Sequence, residues 1–85
     1  MIYQVDVNVS KAAQQMSKLN VDIYNKDEVM IFVKAKSPDG ACHEALKKIK
    51  LDILAINHTL ETMEFVNKLH FYVSVVKIKR SSPYV

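Results

Sequence analysis

Residues 29–41 read VMIFVKAKSPDGA, and the fold turns on this stretch because it passes from a strand pattern to a helix start within a few residues. Val29, Ile31, Val33 and Ala35 alternate with Met30, Phe32, Lys34 and Lys36, the period-2 signature of a half-buried strand. Ser37, Pro38 and Asp39 then supply an N-cap, a proline at the first helical position and an acid near the positive end of the helix dipole, with Glu44 following. Beyond them Cys42, Ala45, Leu46, Ile49, Ile53 and Ile56 form an apolar stripe, Lys47, Lys48 and Lys50 project from other faces, and Asn57 offers a C-terminal cap.

Working outward, Asn25, Lys26 and Asp27 have turn chemistry, and Val21 and Ile23 alternate with Asp22 and Tyr24, so a hairpin is predicted around them. Before it, Ser10 reads as an N-cap, and Ala12, Met16 and Leu19 recur at the spacing of a helix of about ten residues. At the start, Tyr3, Val5, Val7 and Val9 alternate with Gln4, Asp6 and Asn8 as a half-buried strand. On the other side, residues 58–68 support a helix and a strand equally. Leu69 to Lys79 reads as a strand whose alternation slips at Val75-Val76, through a β-bulge or through burial on both faces. Residues 81–85 read as a loose tail. The order strand, helix, strand, strand, helix, strand predicts an α+β, ferredoxin-like βαββαβ domain over residues 1–85, an antiparallel sheet with both helices on one face. The other face is then the place to look for function.

A chain of 85 residues has room for one core. With 49% hydrophobic and 25% charged residues, one Gly and two Pro, it lies far from disordered compositions. No stretch approaches the roughly 20 apolar residues of a membrane span, no secretory leader is legible at the start, and the single Cys42 fits a reducing compartment; a cytoplasmic protein is expected.

Catalytic and metal chemistry find little support. His43, His58 and His70 stand far apart beside one cysteine, without the paired spacing of a zinc site. Cys42 next to His43 resembles a nucleophile with its base, but neighbours on a helix diverge by about 100°, and Cys42 falls on the apolar stripe as a small core residue. Gly40 alone makes no phosphate loop, and the acids show no pairing suited to acid-base work. The expectation is a binding protein with no enzymatic activity, metal or cofactor.

The net charge is +3 and unevenly spread. Lys34, Lys36, Lys47, Lys48 and Lys50 oppose only Asp39 and Glu44 in one stretch; Lys77, Lys79 and Arg80 oppose no acid in another; between them residues 51–66 hold acids and no Lys or Arg. If folding joins the basic stretches, these eight residues make a nucleic-acid-binding surface, with Phe32 and Tyr72 as stacking candidates, since single-stranded RNA is gripped by cations on phosphates and aromatic faces on bases. The plain alternative puts the aromatics in the core and the lysines on a solvated surface. An all-protein reading also fits: edge strands pair with copies of themselves or with a partner's sheet, giving a homo-oligomer or an inhibitor of a host enzyme that needs no nucleic acid.

In size, in basic balance, in the opening MIYQVDV of residues 1–7 and in VKAKSPDGA of residues 33–41 entering a helix, the chain resembles the small accessory proteins of T-even bacteriophages, of the ToxIN inhibitory factor type. The resemblance implies a non-enzymatic antagonist of a toxin-antitoxin endoribonuclease, acting in the host cytoplasm with RNA as a bridge or co-ligand. It assigns no residue a role.

Overall fold

A computed structural model describes residues 1–19, 24 and 26–81. Strand β1 (Ile2–Asn8) leads to helix α1 (Ser10–Lys18), and strand β2 (Glu28–Lys34) to helix α2 (Pro38–Ile56). Helix α3 (Leu60–Asn67), a single 3-10 turn (Leu69–Phe71) and strand β3 (Ser74–Ser81) complete the order. The three strands form an antiparallel sheet in the order β2-β1-β3. The chain is thus α+β. The predicted strand at residues 21–24 falls mostly outside the described residues, as does the predicted tail at 81–85, of which Ser81 instead ends β3; Tyr24 itself lies in neither helix nor strand. Among the described residues the sheet has three strands rather than the four of the full ferredoxin-like pattern.

β1 is the central strand, paired on both sides, and its alternation leaves one face wholly apolar. Tyr3, Val5 and Val7 are buried, continuing to Val9, while Ile2, Gln4, Asp6 and Asn8 are half-exposed. The buried side packs with Ile31 of β2, Ala12 and Met16 of α1, Ala41, Ala45, Ile49 and Ile53 of α2, and Val66 and Leu69 in one core. Alanines at two of the four buried α2 positions let that helix approach the sheet closely. Fully burying each valine or isoleucine here contributes roughly 1.5–3 kcal/mol before entropy is counted.

Helix ends follow local chemistry. Ser37 Oγ accepts from the Gly40 N–H at 3.1 Å with Pro38 at the first position, and Asn57 closes α2, both as the sequence predicts. At α1 the cap differs: Ser10 is the first helical residue, and Asn8 Oδ1 accepts from its N–H at 3.1 Å and its hydroxyl at 2.8 Å. Residues 58–68 resolve in favour of a helix. Thr59 Oγ1 caps α3 by accepting from the Thr62 N–H at 3.2 Å, and Thr62 and Val66, four residues apart, are buried on one side.

Thr62 is fully buried, and its hydroxyl shares a hydrogen bond of 3.0 Å with that of Thr59. Thr59→Ala therefore removes a cap worth about 1 kcal/mol and strands a buried hydroxyl at a further cost of about 1–3 kcal/mol. Urea unfolding is expected to give a loss of about 2 kcal/mol or more. Adding Thr62→Val to that variant should recover part of it, since the orphaned group is then gone.

The predicted strand from Leu69 begins only at Ser74. Leu69 is fully buried, and the turn it opens is closed by the Tyr72 N–H donating to the Leu69 carbonyl at 2.8 Å. The slip at Val75-Val76 is a β-bulge, with both valines exposed: Val7 pairs with Val75 whereas Asp6 pairs with Lys77.

Burial, and then the negative charge of Asp52, push the Tyr24 phenol from 10.0 up to about 12. Folded and unfolded chains both keep this proton below pH 10.0; between there and about 12 the unfolded chain gives it up first. Stability should hold below that window and fall through it as pH rises. Tyr24→Phe should flatten the fall when denaturation midpoints are followed against alkaline pH.

Candidate nucleic-acid interface

The side of the sheet away from the helices is read in rows across β2, β1 and β3: Lys34, Ile2, Ser81; then Phe32, Gln4, Lys79; then Met30, Asp6, Lys77; then Glu28, Asn8, Ser74. Cross-strand partners share a face. Of the two basic stretches, Lys34 on β2 and Lys77 and Lys79 on β3 thus share one face, with β1 between them and with an exposed Phe32 (55%) and Met30 (59%). A carboxylate stands among them. Asp6, opposite Lys77, accepts from Gln4 Nε2 at 3.2 Å, which keeps it on this face between the outer strands.

Other predicted positions do not join this face. Arg80 is paired with Tyr3 and so has the parity of the helix side. Strict alternation explains this: Lys77 and Lys79 share a face and Arg80 cannot. Lys36 is exposed in the bend between β2 and α2, past the last strand residue. Lys47 and Lys48 are exposed on α2 and Lys50 is half-buried there, in the layer covering the opposite side of the sheet. Lys48 Nζ lies 3.6 Å from Asp52, both side chains being about half-exposed, a solvated pair that contributes little. Lys34 and those two exposed helix lysines also border a groove of about 430 Å³ at the β2 edge, where Glu44 and Asp52 offset them.

Tyr72 is not a free stacking platform. It is half-buried, its ring centroid 5.4 Å from that of Phe65. The 3-10 turn rotates the neighbouring Phe71 outward instead, to 70% exposure, against His70 at 4.1 Å. Phe71 and Lys11 border a groove of about 330 Å³ at the Asn8 and Ser74 end of the sheet. Sequence reading took Leu69-His-Phe-Tyr as strand and named Tyr72, not Phe71, as a stacking candidate; the turn that exposes Phe71 has no signal in that composition.

Cys42 also differs from expectation. The buried stripe of α2 is Ala41, Ala45, Ile49 and Ile53, and Cys42 flanks it half-exposed. Among the described residues no three of His, Cys, Asp and Glu come together in a way that would hold a metal ion, and no helix is long and apolar enough to cross a membrane. No family model matches the chain, and no curated protein or solved structure matches it.

Proposed function

We propose that this protein binds single-stranded RNA along the open face of its sheet and thereby antagonises a ribonuclease, with the RNA as the bridge between them. The observation that carries the binding step is the convergence of Lys34, Lys77 and Lys79 around an exposed Phe32 on a surface the helices leave uncovered. Lysines neutralise phosphates, an aromatic face stacks a base without regard to its identity, and neither needs a catalytic group. The antagonism, and its location in the cytoplasm of a phage-infected host, come from the resemblance to T-even accessory proteins. We read the domain as ferredoxin-like: the order β2-β1-β3 matches the third, first and fourth strands of that sheet.

Three cations on one face imply a small footprint, so the logarithm of affinity should fall against that of salt with a slope of about −2, from roughly 0.7 per phosphate. The test is to purify the chain from cells and measure nuclease-sensitive nucleic-acid absorbance, then titrate a labelled RNA oligomer at several salt concentrations. Absence of retained RNA together with no salt dependence would overturn the reading.

A second reading, protein capture without nucleic acid, is favoured by one observation. The outer side of α3 exposes Leu60 (79%) and Met63 (40%) beside Glu61 and Glu64, an apolar and acidic surface suited to a basic protein. Capture of a purified ribonuclease that survives prior RNase treatment of both proteins would favour it.

A further inference from the structure

Between α2 and the β3 side of the sheet lies a cleft of about 310 Å³. Its floor is apolar, formed by Val7, Leu46 and Val75, and its polar members are Asp39, Cys42, His43 and His70. The volume is at the lower end of small-molecule sites, room for one planar ring system. Floor and rim together match such a ring, which hides two apolar faces and presents hydrogen-bonding groups at its edge.

The bulge in β3 links this cleft to the open face. Without it Val75 and Lys77, two residues apart, would share a side; with it Val75 faces the helices beside Val7, and Lys77 faces outward beside Asp6. A phosphate held by Lys77 therefore lies just across the strand from the cleft. A single-stranded chain crossing the sheet edge there can turn one base inward.

Asp39 among the lining residues gives the cleft a means of telling bases apart. A carboxylate only accepts hydrogen bonds. Guanine presents two adjacent donors, N1–H and the N2 amine, on its Watson-Crick edge. Adenine and cytosine set one amine beside an acceptor nitrogen, and uracil has one N–H between two carbonyls, so each brings an acceptor towards Asp39. His70, tilted at 40° against Phe71 with centroids 4.1 Å apart, supplies an aromatic wall.

We infer that this cleft is a guanine subsite for the RNA bound on the open face. The inference rests on the RNA reading above, and the experiment separates the two. Labelled uridine tracts carrying one central guanosine or one central adenosine are titrated by fluorescence anisotropy. The guanosine tract should bind roughly tenfold tighter, the scale of one good bidentate pairing with a base. Asp39→Asn and the cleft-filling Leu46→Phe should each erase that preference while leaving uridine-tract affinity unchanged.

The unmodified chain gives an independent readout, because its one cysteine borders the cleft. The guanosine tract should slow alkylation of Cys42 at least severalfold, and the plain uridine tract should not. Equal affinity for all tracts, or unchanged alkylation with the guanosine tract bound, would overturn the subsite and leave the RNA reading standing. No binding of any tract would overturn both.

Discussion

On the RNA reading proposed for the open face, reversing Lys77 and Lys79 together to glutamate should lower RNA affinity about a hundredfold, taking about 1.5 kcal/mol for each charge-assisted hydrogen bond to phosphate that is removed and 1.4 kcal/mol per tenfold. The two lysines are exposed on an edge strand, so circular dichroism and the unfolding midpoint should barely move. Arg80→Glu reverses one charge instead of two, one residue away on the helix side. With solvent screening the separation, it should cost no more than about threefold. Asp6→Asn runs the opposite way, since it removes the one carboxylate between Met30 and Lys77, and should tighten binding severalfold. Anisotropy titration of one RNA oligomer at fixed salt against all three variants checks the set. A loss for Arg80→Glu of half the lysine pair's on a logarithmic scale, about tenfold, would show that net charge matters and the face does not.

The largest stability effect is expected at Ile49→Ala. Ile49 is fully buried midway along α2, facing the core built on Val5 and Val7. Truncation there costs about 2–5 kcal/mol, combining the lost transfer free energy with the cavity left behind. A domain of this size has roughly 4–13 kcal/mol in all, so the variant loses a large share of it. Each 1 kcal/mol shifts Tm by about 4–8 °C at this length, and calorimetry should record a fall of well over about 8 °C. Ile56→Ala, on the last turn of the same helix and 57% exposed, should move Tm far less. Similar falls for the two would mean that α2 does not pack through Ile49.

Where patterns were local, they could be read without coordinates. The faces of β1 and β2 and the Ser37 cap each depend on residues within a few positions of one another, whereas the slip at Val75-Val76 was visible but left a bulge and burial on both faces open. Illegible stretches were those in which two local patterns competed. Met63 and Phe65 suit a strand as well as Leu60, Met63 and Val66 suit a helix, and burial of Thr62 and Val66 against the core decided it, leaving Leu60 and Met63 exposed. Leu69 to Tyr72 has strand composition, yet a turn there buries Leu69 and sets Tyr72 against Phe65. Cys42 looked like core because a helical stripe read from sequence is wider than the strip a sheet covers.

Periodicity and capping alone determined that this chain alternates half-buried strands with helices, that its charge is divided into two basic stretches, and that Lys34 shares a side with Phe32. Only the tertiary structure decided which cations meet. Joining β3 to β1 through a bulge set Lys77 and Lys79 beside Asp6 and Gln4, sent Arg80 to the other side and left the α2 lysines behind the sheet. The reason is geometric: side-chain period along a strand is local, but cross-strand register depends on residues some seventy positions apart, and one bulged residue reverses the parity of the strand on either side of it.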